Sequence, residues 1–301
     1  MIKRLHIYFQ EMYPIIPRLL LGFLLFFEIY FLVILTHGKG IIPIQIGLQE
    51  IIGGLTAFSF LLSLRIADDF KDYETDLRLF PNRPLPSGRV LKKDLRTVLL
   101  ILIPAIVALN LIFLDNTVFF LILTGYGFLM SFWFFQKHKI QKNLMLALIT
   151  HNPVQMIMNA YVISFACDKY DIPLLSGNNA LILCTLYFPG LVWEITRKIR
   201  APKDETEYVT YSSLFGYKKP IVFVLALMSV DLVTTSILVS QLYSWAFISV
   251  VVLYAWLLWQ CIQFMKEPTK FSLGQRFEIY EYLAEGSVVI FIFAYLMDWW
   301  R

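Results

Sequence analysis

Charged residues are scarce in this 301-residue sequence. Asp, Glu, Lys and Arg together make up 16% of it, whereas soluble domains carry about 25%. Cysteine is scarce as well: Cys167, Cys184 and Cys261 lie far apart, in or beside apolar segments. Three separated cysteines argue against a disulfide framework and a cysteine-based metal site. Residues 1–20 carry charges and two prolines with no small-residue cleavage site after a short apolar core, so we expect no signal peptide.

Apolar residues are correspondingly abundant and make up 58% of the sequence. A helix that crosses a bilayer needs about 20 predominantly apolar residues. The stretches that meet this requirement are 18–36, 47–67, 95–114, 117–135, 143–166, 178–197, 219–241, 244–264 and 283–300. The sequence therefore predicts an all-α, polytopic helix bundle with nine transmembrane helices, embedded in membrane lipids.

The basic residues indicate how these helices are oriented. Lys and Arg collect on the cytoplasmic side of membrane proteins. With nine spans and a cytoplasmic N-terminus, all of the 26 basic residues except Lys39, Lys169 and Arg301 fall on the cytoplasmic side. We therefore expect an integral protein of the cytoplasmic (inner) membrane with its C-terminus on the opposite side. Because topology accounts for the net charge of +4, no nucleic-acid partner is expected.

A cluster of acids follows the second predicted span, in the segment RIADDFKDYETDLRLFPNRPLPSGRV (residues 65–90). On a continuing helix the acids at 68, 69, 72 and 76 share one face with Arg65, because neighbours on that face are three or four residues apart. Like charges on one face repel each other, and a metal ion or strongly basic partners would offset the repulsion. Mg²⁺ takes oxygen ligands, commonly one or two carboxylates together with substrate phosphates. The spacing therefore suits a metal-bridged diphosphate at the membrane surface.

A second charged cluster follows the sixth predicted span. Glu194, Arg197 and Lys198 have helical spacing, and Asp204 and Glu205 follow in the connecting loop. Basic side chains in this place could bind phosphate oxygens, Arg through its planar fork and Lys as a point charge. Charge-rich cytoplasmic loops often serve topology and solubility alone. Two such clusters, each at the end of a span, favour a functional role because charge at a membrane edge is costly.

At these residues the sequence resembles a known family. The pattern DDFKDYETD…NRPLPSGR is similar to the first aspartate-rich motif of the UbiA superfamily of intramembrane prenyltransferases. In this resemblance Asp69, Asp72 and Asp76 take the three aspartate positions, and Asp68 stands where the family has asparagine. The segment WEITRKIRAPKDETEYVTYSSLFG matches the family's second motif less closely.

The resemblance implies a fold and an activity. The fold is one integral-membrane domain over residues 1–301, with motif-bearing halves at about 1–140 and 141–301 and a central cavity open to the cytoplasmic side. The activity is Mg²⁺-dependent ionisation of a prenyl diphosphate, followed by transfer of the prenyl group to an aromatic or other lipophilic acceptor. Oxygen-bound Mg²⁺ would stabilise the charge of the departing diphosphate.

The resemblance also implies roles for individual residues. Catalytic roles fall to Asp69, Asp72, Asp76 and Asp204. Metal ligation falls to Asp68, Asp69, Asp72, Asp76, Glu194, Asp204 and Glu205. Diphosphate binding falls to Lys71, Arg78, Arg83, Arg197, Lys198 and Arg200.

The fifth predicted span carries polar residues at helical spacing, namely His151, Asn152, Gln155 and Asn159. Polar side chains at membrane depth generally face the interior of the bundle. They could simply form hydrogen bonds between helices. Alternatively they form the wall of an acceptor pocket together with Tyr161 and Tyr187, in which His151 or Asn152 orients the acceptor or removes a proton.

Two other functions stay open at this point. The string DDFKD, residues 68–72, is similar to the metal motif of class I terpene cyclases, so the cation could be captured by double bonds of its own tail. A transporter or lipid-binding protein without catalysis is the third interpretation. Transporters place their sites near the bilayer midplane, whereas the acidic clusters here lie at the ends of spans.

Overall fold

A computed structural model of the protein describes residues 1–38 and 44–298. Within these residues the chain contains helices and no β-strand, which confirms the all-α prediction. Lys39, Arg301 and the last two residues of the ninth predicted span lie outside the described residues. The α-helices are α1 (Ile2–Glu11), α2 (Ile15–Gly38), α3 (Leu48–Lys71), α4 (Tyr73–Leu79), α5 (Lys92–Phe113), α6 (Thr117–Ser131), α7 (Lys137–Ile140), α8 (Leu144–His151), α9 (Val154–Tyr170), α10 (Gly177–Thr185), α11 (Phe188–Thr196), α12 (Tyr211–Phe215), α13 (Lys218–Ser240), α14 (Phe247–Lys266) and α15 (Leu273–Leu296).

The apolar helices make this an integral membrane protein. Seven segments of the described chain are long and apolar enough to cross a membrane: Ile15–His37, Leu48–Lys71, Lys92–Phe113, Gly177–Thr196, Lys218–Ser240, Phe247–Lys266 and Leu273–Leu296. The other two predicted spans fall on the shorter apolar helix α6 and on the pair α8 and α9. The total of nine spans, the central cavity and the orientation of the termini stay predictions.

Two predicted spans are broken in the middle. The fifth divides at Asn152 and Pro153, between α8 and α9, because proline has no N–H to donate to the helix. The sixth divides at Leu186 and Tyr187, and Pro189 lies in the first turn of the following helix α11. Backbone groups freed at such breaks are a common feature of sites in membrane bundles.

The last span begins earlier than predicted, at Leu273 instead of residue 283. Three glutamates lower the hydropathy of this first part of α15, namely Glu278, Glu281 and Glu285. The helix continues through them because α15 buries one face, with Phe277 and Tyr280 in the core.

The contacts within the chain divide it into two compact units. The first consists of residues 1–30, 44–140 and 160–171. In it α3 packs against α5 and α6. Hydrogen bonds reinforce this packing: the Tyr161 hydroxyl donates to Asn110 Oδ1 at 2.9 Å, and Asn110 Nδ2 donates to Thr56 Oγ1 at 2.8 Å. Because these polar groups are buried, each bond also avoids the cost of an unsatisfied group in an apolar interior.

The second unit consists of residues 31–43, 141–159 and 172–301. Helices α11, α13, α14 and α15 pack together in it. Their shared core contains Val192, Met228, Leu257 and Phe277, all fully buried. This packing fixes α11, whose last turn carries Glu194.

Candidate active site

The first acidic cluster, Asp68, Asp69, Asp72 and Asp76, lies where α3 ends and α4 begins. Asp72 is the residue between the two helices. Its backbone N–H donates to Asp68 O at 2.9 Å, and its own carbonyl accepts from the Asp76 N–H at 2.9 Å. The turn therefore stays close to helical, and the acids remain at the spacing that the sequence predicts.

Three of the four acids are paired with basic side chains. Lys71 Nζ lies 2.7 Å from Asp68 Oδ1, and an Arg65 guanidinium nitrogen lies 2.9 Å from Asp69 Oδ1. Arg83 Nη1 donates to both oxygens of Asp76, at 2.8 and 2.9 Å. Basic partners thus offset much of the repulsion that was expected on this face.

Asp72 differs from its neighbours in this cluster. It has neither an ion pair nor a side-chain hydrogen bond within residues 1–38 and 44–298. Burial raises its pKa to about 6; Lys71 opposes the rise, whereas Asp68, Asp76 and Asp69 add to it. A half-buried carboxylate among other acids is electrostatically unfavourable without a cation.

The basic residues predicted to bind diphosphate have different surroundings in this unit. Lys71 is 5% exposed, and its ammonium group lies 4.6 Å from the centre of the Trp133 ring. The Arg83 guanidinium lies 4.0 Å from the centre of the Phe80 ring. Arg78 is exposed and has no ion pair in the described part of the chain.

The loop after α4 is tightly folded around the NRPLPSGR motif. The Ser87 N–H donates to Arg83 O at 3.0 Å, and the Val90 N–H donates to Pro84 O at 2.9 Å. Gly88 has a φ of +74°, a left-handed conformation that favours glycine. Leu85 is buried beneath the loop. These constraints hold Arg83 against Asp76.

Sequence reasoning missed the contacts that α1 makes with the first acidic cluster and with the loop beside it. The Tyr8 hydroxyl donates to Asp69 Oδ2 at 2.6 Å. Burial, together with the Asp69 carboxylate, raises the pKa of the Tyr8 phenol, which therefore remains a hydrogen-bond donor. Glu11 pairs with Arg89, whose hydrogen bonds lower the pKa of the glutamate. These contacts link residues far apart in the sequence. The one signal for them is the helical spacing of Arg4, Tyr8 and Glu11, which places the three side chains on one face of α1.

The second cluster contains its own ion pairs. Glu194, on α11, accepts from Arg197 Nε at 2.6 Å and lies 2.8 Å from Lys198 Nζ. The structure thus confirms that these three residues share a helical face. Arg197 is largely exposed, whereas Lys198 is 11% exposed.

The loop after α11 carries the other acids. Asp204 ends the short 3₁₀ turn Pro202–Asp204, is exposed, and has no side-chain partner among the described residues. Glu205 Oε2 accepts from the Thr210 hydroxyl at 2.7 Å, while its Oε1 is buried with no hydrogen-bond partner in the described chain. Arg200 donates to Thr206 Oγ1 at 3.0 Å.

The residues predicted to line an acceptor pocket are not all in one unit. Tyr161 is fully buried in the first unit, where it bonds to Asn110. In the second unit, Gln155 Nε2 donates to Asn159 Oδ1 at 3.2 Å, while Asn159 Nδ2 and Asn152 Oδ1 are buried with no partner among the described residues.

His151 and Tyr187 lie at the two helix breaks. His151 ends α8, with Nδ1 3.1 Å from Ala147 O. Tyr187 precedes α11. Tyr161 forms a hydrogen bond between helices, through Asn110, whereas Asn152 Oδ1 and Asn159 Nδ2 keep hydrogen-bonding capacity that no described residue uses.

The carboxylates of the first cluster suit a Mg²⁺ ion whose remaining ligands come from a diphosphate. Among the described residues no three His, Cys, Asp or Glu side chains lie together so as to hold a metal ion. Mg²⁺ commonly needs only one or two carboxylates when substrate phosphates complete its shell. Asp72, without a partner, and Asp68, 40% exposed, offer such a pair. The residues present therefore fit a magnesium ion that binds together with a diphosphate.

Comparisons with known proteins agree with this architecture. The sequence profile of the UbiA prenyltransferase family matches residues 27–282. No relative is found among curated protein sequences. The chain is similar to a solved structure of digeranylgeranylglyceryl phosphate synthase, with a TM-score of 0.65 over 98% of this chain and 99% of that one. Because the sequences are 15% identical, this likeness shows a shared fold.

Proposed function

This chain belongs to the UbiA prenyltransferase family, and on that premise we propose that it ionises a prenyl diphosphate in the membrane and transfers the prenyl group to a lipophilic acceptor. The observation that carries the proposal is Asp72, a half-buried carboxylate with no cationic contact in the described chain and three acidic neighbours. Such a group is unfavourable in the protein alone and favourable once a cation is bound.

The first cluster would bind the metal and part of the diphosphate. Asp72 and Asp68 are the proposed first ligands, and Asp69 and Asp76 would join as their basic partners turn to phosphate. Bound Mg²⁺ supplies charge that stabilises the leaving diphosphate. Lys71, already desolvated against Trp133, would donate to a phosphate oxygen, and charge-assisted bonds of this kind are strong.

The second cluster would contribute further donors and acids. Glu194, on α11, keeps Arg197 and Lys198 in place in the turn that follows the helix until phosphate oxygens compete for them. Arg200 would bind phosphate in the same manner. Asp204 and Glu205 each have an oxygen without a partner in the described chain, and both remain proposed metal ligands.

The chemistry then follows from the substrate. The allylic C–O bond breaks with its electron pair passing to the diphosphate, and the acceptor's nucleophilic atom forms a bond to the resulting carbocation and loses a proton. Asn152 and Asn159, with buried polar atoms that lack partners in the described chain, are the proposed hydrogen-bonding contacts for the acceptor. Gln155, Tyr187 and His151 would complete its surroundings, with His151 as the proposed proton acceptor.

The test uses purified protein in lipid with Mg²⁺ and C10, C15 or C20 prenyl diphosphates. Each is incubated with and without acceptors, and hexane extracts are analysed by mass spectrometry. Because the structurally similar enzyme is named for a glyceryl phosphate lipid, the acceptors include a prenylglyceryl phosphate beside aromatic compounds. Diphosphate release that requires an acceptor supports prenyl transfer. A cyclic product without acceptor would establish a cyclase instead, and no consumption under any condition would overturn the proposal.

A paired substitution links the activity to the second cluster. Asp204→Ala should abolish Mg²⁺-dependent diphosphate release while the protein stays folded in detergent. Glu207→Ala, a change at an exposed acid in the same loop, is the matched control and should retain activity. Full activity of Asp204→Ala would exclude the assigned role.

A further inference from the structure

One face of helix α1 contacts the first acidic cluster, the loop that follows α4 and the first turn of α5. Arg4 donates to both oxygens of Asp94, at 2.6 and 2.9 Å. Glu11 forms two hydrogen bonds with Arg89, which also donates to Asn82 O at 2.6 Å. Arg4, Tyr8 and Glu11 are separated by four and three residues, so they lie on one side of the helix. The two outer ion pairs hold the central residue of this face, Tyr8, in place.

Tyr8 is fully buried, and its hydroxyl contacts the Asp69 carboxylate, with Arg65 close to both groups. The 2.6 Å bond reaches Asp69 Oδ2, while Arg65 lies 2.9 Å from Oδ1. Both oxygens of Asp69 are thus engaged, which fixes the plane of the carboxylate. Each carboxylate oxygen has two acceptor sites, so both can still bind a cation.

The two partners of Asp69 differ in what they do to a metal ion. The guanidinium of Arg65 carries a positive charge and repels a cation, whereas the phenol of Tyr8 is a neutral donor. A hydrogen bond from Tyr8 therefore orients the carboxylate without competing for its charge. Partners of this kind behind metal-binding carboxylates typically change metal affinity or activity by 10–100-fold when removed.

We propose that Tyr8 is a positioning residue that orients Asp69 toward the bound metal ion. This inference rests on the proposed function, since it requires that Asp69 bind Mg²⁺. It assigns α1, which lies outside both motifs, a part in the site.

The experiment compares Tyr8→Phe with Tyr13→Phe. Tyr13 is also buried, at 5% exposure, and its hydroxyl has no hydrogen-bond partner in the described chain, so this substitution removes the same atom without breaking a bond. The Mg²⁺ concentration that gives half-maximal thermal stabilisation is measured with inorganic pyrophosphate present, and again as half-maximal activity. Tyr8→Phe should raise both concentrations by about 10–100-fold, with kcat at saturating Mg²⁺ nearly retained. Tyr13→Phe should leave both unchanged.

Glu11→Gln separates a specific effect of Tyr8 from general loosening of α1. It weakens an ion pair of the helix without touching Asp69, so the half-saturating Mg²⁺ concentration should stay within about twofold, far below the loss expected for a partner of a ligand. An equal loss in Glu11→Gln, or no change in Tyr8→Phe, would overturn the inference.

A double substitution covers the case in which Tyr8→Phe alone fails to fold. Asp69→Asn neutralises the carboxylate that loses the hydrogen bond from the Tyr8 hydroxyl in Tyr8→Phe. Adding Tyr8→Phe to Asp69→Asn should cause no further change in Mg²⁺ dependence, and a further loss would contradict the inference. If the unsubstituted protein shows neither Mg²⁺-dependent stabilisation nor diphosphate consumption, the proposed function fails together with the inference. A Mg²⁺-dependent protein that is unaffected by Tyr8→Phe overturns the inference alone.

Discussion

Asp72 shows at the scale of one residue how stability and function can oppose each other. Its neighbours at 68, 69 and 76 have basic partners, whereas Asp72 is half-buried with no such contact in the described chain. An unpaired charge in these surroundings costs free energy of folding. That cost is recovered when a cation binds, which is the condition under which the proposed enzyme acts.

Asp72→Asn should therefore separate stability from activity. The neutral amide relieves repulsion from the adjacent acids, so we expect the thermal midpoint in detergent to be unchanged or higher. Loss of a metal ligand removes several kcal/mol of charge stabilisation, so diphosphate release should fall by more than about 100-fold. Glu74→Gln, at an exposed acid on α4, is the control and should behave like the unsubstituted protein. Wild-type activity in Asp72→Asn would remove this residue from the site.

The pH dependence of stability tests the same carboxylate without any substrate. Its pKa of about 6 in the folded protein lies above the ordinary value of 3.8. A raised pKa means that the stability contributed by the protonated form is complete below about pH 3.8 and is lost as pH rises through about 6. Asparagine does not titrate. The thermal midpoint of Asp72→Asn minus that of the unsubstituted protein should therefore increase by a few degrees between pH 5 and 7.5, measured with EDTA. A constant difference would show that Asp72 is not buried as described.

At the scale of elements, α2 and α3 approach each other closely through small residues. A side-chain carbon added at Gly22 would lie 2.7 Å from the backbone nitrogen of Phe58, and one added at Gly53 would overlap the Phe26 ring. Small residues at such contacts allow membrane helices to pack by van der Waals attraction. The close approach supports α3, the helix that ends in the first acidic cluster.

Gly22→Ala should consequently destabilise the protein. The new methyl group meets backbone atoms of Phe58, which cannot turn aside as a side chain can, and overpacking of this kind costs about 1–3 kcal/mol. A decrease of several degrees in the thermal midpoint in detergent is the expected result. Gly125→Ala on α6 adds its methyl group where nothing lies within 4 Å, so its midpoint should be unchanged or slightly higher. Equal behaviour of the two variants would mean that the α2–α3 contact is looser than described.

At the scale of the whole molecule, the distribution of basic residues predicts which loops face the cytoplasm. The loop between α3 and α5 contains Arg78, Arg83 and Arg89, and further Lys and Arg residues lie in the adjoining turns of both helices, whereas the connection between α5 and α6 contains none. The two loops lie at opposite ends of α5. They should consequently be reached from opposite sides of the membrane.

Cysteine labelling tests this orientation. Glu74→Cys and Asp115→Cys each introduce a thiol at an exposed position, one in each loop. A membrane-impermeant maleimide should label Asp115→Cys in intact cells and Glu74→Cys only after the membrane is permeabilised. Cys167 and Cys261 are buried, and labelling of the unsubstituted protein measures the background from the half-buried Cys184. The reverse pattern would place the first acidic cluster outside the cell.

How much the sequence could predict depended on the range of the interactions. The apolar segments and the grouping of Glu194, Arg197 and Lys198 follow from residues close in the chain. The structure has seven helical segments long and apolar enough to span a membrane among its described residues, and it brings those three side chains together. The start of α15 at Leu273 was missed because glutamates lower the hydropathy of its first turns, as in a polar loop. The burial of one face of this helix cannot be seen in the sequence. Tyr8 was missed because its partner is 61 residues away. The sequence predicted that basic partners could offset the repulsion between the acids. It did not show which acid stays unpaired, because that depends on the local geometry at Asp72, between α3 and α4.

The ion pairs of the first cluster have a consequence for the order in which ligands bind. Magnesium that arrives alone finds Asp72 unpaired but Asp68 and Asp76 already neutralised by Lys71 and Arg83. A diphosphate that arrives alone leaves those two acids uncovered as soon as it takes their basic partners. When both arrive, Asp68 and Asp76 pass to the metal and their basic partners to the phosphates, so each charge of these two salt bridges exchanges one partner for another. The two ligands should therefore bind with positive cooperativity, each raising the affinity of the other by the same factor. Neither ligand alone separates the salt bridges Asp68–Lys71 and Asp76–Arg83, because each ligand replaces only one partner of each pair.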